Sequence, residues 1–184
     1  MKKWIPILLA VGTMMLAACK EKKQSEDIII AKQEVQKPSG PKAMQDYDDA
    51  KSVDWVGNKY EVRISRKSSA SLPMVTDENG QKYKDNVIRL VISRQDGSIF
   101  YDQEFTKDMF QSYLDESYRK GGVLEAMIFD SVKGTEMNFA VSVCKPDSDD
   151  EFIPLVLTVT SLRAISIRRD TSIDTNGANE GDDI

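Results

Sequence analysis

Ile88-Arg89-Leu90-Val91-Ile92-Ser93-Arg94-Gln95-Asp96-Gly97-Ser98-Ile99-Phe100-Tyr101-Asp102-Gln103-Glu104-Phe105 decides the fold. Ile88, Leu90 and Ile92 alternate with Arg89, Val91 and Ser93, the period of two that marks a half-buried strand. Gln95 to Ser98 turns the chain, because a glycine after an aspartate accepts the positive φ that a tight hairpin requires, and Ile99 to Phe105 returns antiparallel. The same period recurs upstream, where Tyr60, Val62 and Ile64 alternate with Glu61, Arg63 and Ser65. Downstream, Leu124 to Val132 and Met137 to Cys144 flank the turn Lys133-Gly134-Thr135-Glu136, and Asp77-Glu78-Asn79-Gly80 makes a further turn. The run Phe152 to Ile167 is long enough to need a bulge or bend near Ser161. One segment departs from the pattern. Phe110, Tyr113, Leu114 and Tyr118 recur at helical spacing, with Thr106 as cap and Phe105 placed to pack on Phe110. Asp108 suits the positive end of such a helix, and Arg119 and Lys120 the negative end. Gly121 or Gly122 can end it in the left-handed conformation. The expected fold is mainly β bordering on α+β: an antiparallel sheet or sandwich of about six strands, with one helix over about 107–119 packed on it.

The amino-terminal residues have a different character. Lys2 and Lys3 precede an apolar stretch of 13 residues, Trp4 to Leu16, followed by Leu16-Ala17-Ala18-Cys19. As a helix that stretch covers about 20 Å, short of the roughly 30 Å of a bilayer core, so it reads as a cleaved signal and not a span. Leu16-Ala17-Ala18-Cys19 resembles the lipobox of bacterial lipoproteins. The resemblance implies that the Cys19 thiolate is alkylated by diacylglycerol, that residues 1–18 are removed, and that the new amino group is acylated. Several acyl chains at about 0.8 kcal/mol per buried methylene hold a protein to its membrane almost permanently. Residues 19–52 follow as a polar tether broken by Lys37-Pro38-Ser39-Gly40-Pro41-Lys42, with a reach of about 30 to 35 Å. Ile28-Ile29-Ile30 is its one apolar cluster. Residues 53–169 then form a single β-rich domain with enough apolar content for one core, and 170–184 an acidic tail.

Composition removes several kinds of chemistry. The chain has no histidine, so Ser-His triads, imidazole acid/base catalysis and His-ligated metal sites are excluded. Removal of residues 1–18 takes away two lysines and leaves 23 basic against 30 acidic side chains, a net charge of −7 that argues against nucleic acid as a partner. With Cys19 lipidated, Cys144 is the remaining thiol and no intrachain disulfide can form. Alternation places Cys144 on the face of Ala140 and Ser142, as a packed small hydrophobe.

Three groups of residues are candidates for a site. Asp102 and Glu104 share one side of a strand, about 6.6 to 6.8 Å apart along it, a separation suited to inverting glycoside hydrolysis. Alternating acids are also what a solvated strand face looks like. Asp77, Glu78 and Asn79 before Gly80, and Asp147, Asp149, Asp150 and Glu151, offer oxygen ligands to calcium, but neither loop has the EF-hand order. The aromatics Trp55, Tyr83 and Tyr101, with Tyr60 and Phe100 nearby, fall near strand ends and turns and offer a binding surface for a glycan or a partner protein. Phe100 is expected on the opposite face from Tyr101. No catalytic residue, metal ligand or cofactor site follows from any motif.

Over Trp55 to Arg169 the chain resembles the small lipoproteins of unknown function of Bacteroidales and their relatives. The resemblance rests on Trp55-Val56-Gly57-Asn58-Lys59-Tyr60, Leu72-Pro73-Met74-Val75-Thr76-Asp77, Tyr83-Lys84-Asp85-Asn86, Arg94-Gln95-Asp96-Gly97-Ser98 and Phe105-Thr106-Lys107. It implies a cell-envelope setting, with the domain lipid-anchored to the outer membrane and its periplasmic or surface-facing side left open, and it carries no activity. The expected function is therefore a noncatalytic, membrane-tethered binding or assembly module for an envelope protein or glycan. The alternative is a small histidine-free hydrolase using paired carboxylates on an envelope glycan.

Overall fold

The computed structural model describes residues 40–148 and 150–172, all within the unit Val35–Ile184. Cys19, the signal 1–18, the triplet Ile28–Ile30, Asp149 and most of the tail 170–184 lie outside the described residues. Ten strands run antiparallel: β1 Tyr47–Trp55, β2 Asn58–Ser68, β3 Val75–Thr76, β4 Lys82–Tyr83, β5 Asn86–Arg94, β6 Ile99–Phe105, β7 Val123–Lys133, β8 Glu136–Cys144, β9 Phe152–Thr160 and β10 Ile165–Arg169. They form one four-stranded sheet in the order β1-β2-β5-β6, a second in the order β10-β9-β8-β7, and the small pair β3-β4. The inward residues of both large sheets make one core, with Ile64, Ile88, Leu90 and Ile92 from the first meeting Met127, Phe139, Leu155 and Leu157 from the second. The protein is thus mainly β, and ten described strands replace the expected six or so.

The difference in number has physical causes. β1 begins at Tyr47, within the stretch expected to be tether, and its first six residues are all exposed. Backbone pairing with β2, from Tyr47↔Arg66 to Trp55↔Asn58, makes it a strand without an apolar period, and charges suit an exposed edge. The bend expected near Ser161 is a full reversal. Thr160 N–H donates to Ala164 O at 2.9 Å, and Arg163, at φ 64°, closes the loop between β9 and β10. Between β5 and β6 the register slips at Ile92/Ser93, with Ser93 opposite Ile99 and Ile92 opposite Tyr101. Phe100 is the extra residue of that bulge, so Phe100 and Tyr101 both turn into the core, contrary to strict alternation.

The expected helix over 107–119 is two short pieces: a 3-10 helix Lys107–Tyr113 and α1 Glu116–Gly121. The break at Leu114 leaves the carbonyls of Tyr113 and Leu114 free, and they accept from the guanidiniums of Arg169 (2.6 Å) and Arg119 (2.8 Å). Phe105 does pack on Phe110, with ring centroids 6.2 Å apart. Gly122 ends α1 at φ −96°, not in the left-handed region; a Cβ there would stand 2.6 Å from Tyr118 O, so the glycine is required by close approach.

The sandwich has two unlike ends. At the hairpin end, Trp55, Tyr60 and Phe100 pack edge to face with centroids 5.3 to 5.6 Å apart, and Arg94 and Arg163 lie over the Phe100 ring. At the crossover end the chain passes between sheets. There Asp85 Oδ1 accepts from the backbone N–H of Asn86 (2.8 Å) and Leu124 (2.9 Å), while Lys107 Nζ stands 3.2 Å from Asp85 Oδ2. Asn86 Nδ2 donates to Leu124 O at 2.8 Å and Arg66 to Glu125 O, so side chains of the first sheet satisfy the outer edge of β7.

Candidate functional site

The crossover end carries an open groove of about 470 Å³. Its position follows from local chemistry in four segments. The Asp77–Gln81 turn joins β3 to β4, with Gly80 at φ 81° and Asp77 Oδ1 accepting from Asn79 N–H (2.9 Å) and Gln81 N–H (2.8 Å). Residues 41–44 run parallel beside β4, because Lys42 N–H donates to Lys82 O and Lys84 N–H to Lys42 O. The first residues of β7 and the last of β8 pair as Val123↔Cys144. The loop after β8 turns through Asp147, at φ 56°. Val75, Tyr83, Val123 and Cys144 form a small apolar cluster of their own, with Met44 packed against it, and all but Val75 line the groove. Lys42, Lys84, Lys145, Glu125 and Asp147 supply its charges.

The charges are ordered by one another. Lys42 Nζ is 2.5 Å from Asp147 Oδ2, and the Tyr83 hydroxyl is 2.7 Å from the same oxygen and 3.2 Å from Asp77 Oδ2. The Lys42 ammonium, then the Tyr83 hydroxyl, hold the Asp147 carboxyl below the ordinary range. Burial first, then Asp147, pushes the Tyr83 hydroxyl well above its ordinary range. Burial first, then the charge of Glu125, pushes the Cys144 thiol up to about 12. At neutral pH Asp147 is therefore ionised while Tyr83 and Cys144 keep their protons. The Glu125 carboxylate accepts from the Ser142 hydroxyl at 2.8 Å. Lys145 Nζ donates to Ser117 O at 2.8 Å and lies 5.1 Å from the centroid of Tyr118, both uncharged partners. Lys84 has no ion pair among the described residues.

The residues singled out in the sequence are dispersed. Trp55 is 1% exposed and belongs to the hairpin-end aromatic cluster, and Tyr101 is buried with its hydroxyl donating to Gln103 at 2.5 Å. Of the three expected surface aromatics, Tyr83 alone lines the groove, and it is 7% exposed. Trp55 and Tyr101 face the interior in step with Val53 on β1 and Phe105 on β6, so the three rings form no common exposed surface. Asp102 and Glu104 do share one exposed side of β6, as alternation predicts. Arg89 binds Asp102 through two nitrogens, at 2.8 and 2.6 Å, and that guanidinium holds the Asp102 carboxyl below the ordinary range. A general acid needs the opposite shift, and neither acid lines the groove. The calcium loops meet unexpectedly, Asp77 and Asp147 flanking one hydroxyl, but protein donors already engage both of their carboxylates. Cys144 is buried on the Ala140/Ser142 face, where alternation places it.

Lys42, Lys84, Glu125 and Lys145 went unnoticed in the sequence. Lys42 sits in the Pro/Gly-rich stretch that reads as tether, and it meets Asp147 across 105 residues. No spacing rule spans that distance.

These features define a small antiparallel β-sandwich with a charged, apolar-floored groove at one end. Residues 26–167 match the family described as a domain of unknown function, DUF4738, and the chain belongs to that family. None of the curated proteins compared with the chain matches it.

Proposed function

We propose that the protein is a lipid-anchored, noncatalytic binding module of the bacterial cell envelope, tethered to the outer membrane through Cys19 and binding through the groove at its crossover end. The observation that carries the anchoring is Leu16-Ala17-Ala18-Cys19 after Lys2, Lys3 and a short apolar run. Binding in place of catalysis is supported by the raised Cys144 thiol, a weak nucleophile, and by the pairing of Asp102 with Arg89, which lowers that carboxyl where a general acid needs it raised. Three measurements test the proposal. Mass spectrometry of the protein from cell envelopes is expected to show an acylated amino terminus at Cys19, and Cys19→Ala is expected to move the protein from the membrane to the soluble fraction. A photocrosslinking residue at position 84 is expected to capture an envelope component that the same residue at position 61, on exposed β2, does not. An unmodified terminus removes the anchor; equal capture from both positions removes the groove.

A further inference from the structure

The groove's lining selects a kind of ligand. Lys42 and Asp147 neutralise each other. What is left is two ammonium groups, Lys84 and Lys145, against one carboxylate, Glu125, already bonded to Ser142. Over the lining residues that is a surplus of one positive charge on a chain that is acidic as a whole, with the Asp77 carboxylate held on the Tyr83 hydroxyl, so the two ammoniums offer an anion its contacts. Lysines act as point charges and not as planar forks, so they accept phosphate or carboxylate without demanding a bidentate geometry. Beneath the lysines the surface is apolar, made by Met44, Val123 and Cys144. A small polar anion would leave that floor in water. A pocket of about 470 Å³ with an apolar floor and few convergent charges is the form that buries a small organic molecule.

We propose that this groove takes an anionic amphiphile, a molecule with one phosphate or carboxylate head and a hydrocarbon chain. The head sits at Lys84 and Lys145 and the chain lies on Met44, Val123 and Cys144. The inference rests on the groove being the binding face, and it is independent of whether Cys19 is acylated. The ligand's chain covers the exposed part of half-buried Met44 and the edges of Val123 and Cys144, 2% and 4% exposed, and supplies the apolar part of the affinity, while the two ammoniums orient the head.

The test is calorimetric titration of the chain from residue 19 onward carrying Cys19→Ser, so that no covalent lipid competes. The probes, each below its micellar concentration, are dodecyl phosphate, dodecanoate, butyl phosphate and the uncharged dodecyl maltoside. Saturable one-to-one binding of dodecyl phosphate, of dodecanoate, or of both is expected, and the two probes show which head is preferred. Lys84→Gln with Lys145→Gln is expected to weaken it at least about tenfold, the loss of charge-assisted contacts. Lys59→Gln with Lys67→Gln makes the same charge change outside the groove and is expected to leave it unaltered. Equal affinity for dodecyl maltoside would overturn the anionic head, equal affinity for butyl phosphate would overturn the hydrocarbon chain, and equal loss in both double variants would overturn the location. If no probe binds while the crosslink from position 84 persists in cells, the ligand class is wrong and the groove remains the binding face.

Discussion

The two ends of the sandwich solve the same problem by opposite means. At the hairpin end the strands are joined by short turns, and Trp55, Tyr60 and Phe100 close the core with two arginines stacked outside them. At the crossover end the chain detours through β3-β4 between β2 and β5, passes from the first large sheet to the second through the helical stretch before β7 and turns within the second through the loop before β9, and the strand edges are satisfied by Asp85, Asn86 and Arg66, with Lys107 beside Asp85. Tight turns leave few side chains free; crossings bring distant ones together. The apolar plug closes one end, and the polar end keeps an open groove.

That contrast can be broken by mutation. Trp55→Ala should be the most damaging change, costing about 3 to 5 kcal/mol in chemical denaturation, because a fully buried indole leaves a cavity its neighbours cannot fill. A loss below about 1 kcal/mol would mean that the aromatic plug is dispensable. Lys107→Met should follow at about 3 kcal/mol, since it strands the buried Asp85 carboxylate without its cation. If Lys107→Met unfolds no earlier than the parent, the crossover end is held by backbone pairing alone.

Two smaller effects sharpen the comparison. Val56 and Gly57 form the β1–β2 turn with φ of 49° and 73°, and a β-branched residue is strained in the left-handed region. Val56→Asn should therefore stabilise by about 0.5 to 1 kcal/mol, read as a higher denaturation midpoint; a lower midpoint would mean that the exposed valine makes an apolar contact worth more than the strain. The acid limb of the stability profile should change least. Asp147, held down chiefly by Lys42, and Asp96, held down chiefly by hydrogen bonds from Ser98, have folded pKa values below their unfolded ones. Each contributes stability that is present above the unfolded value near about 4 and is lost as pH falls through the folded one. Asp147→Asn and Asp96→Asn should each flatten that limb slightly, and 1 M salt should reproduce the first, an ion pair, more than the second. Equal salt sensitivity would contradict the assigned causes.

Much of the fold was readable where local chemistry suffices. Asp96-Gly97 and Lys133-Gly134 turn the chain as their glycines require, at φ 82° and 59°. Strands with an apolar face, such as β5 and β8, announced themselves by period. β1 did not, because its strand character comes from its neighbour's backbone, and neither did β10, whose loop contains no glycine. Helical spacing at Phe110, Tyr113, Leu114 and Tyr118 was real, yet Arg119 from within the segment and Arg169 from β10 bind the carbonyls freed by a break in the middle. The groove was the least readable part. Its lysines look like solvated charges in isolation, and only the fold brings Lys42, Lys84 and Lys145 to one groove with Glu125.

The strap formed by residues 41–44 has a mechanical consequence. It is attached to β4 by two backbone hydrogen bonds about Lys42, of 2.9 and 2.8 Å, to the loop after β8 by the Lys42–Asp147 pair and to β5 by Asn86 Nδ2 on Met44 Sδ at 3.2 Å, whereas β1 beyond it is bound along nine residues. Tension applied from the amino-terminal side would reach the strap first and peel it away one bond at a time, well before the long ladder yields. Lys42 and Met44 are walls of the groove, so peeling the strap would widen it.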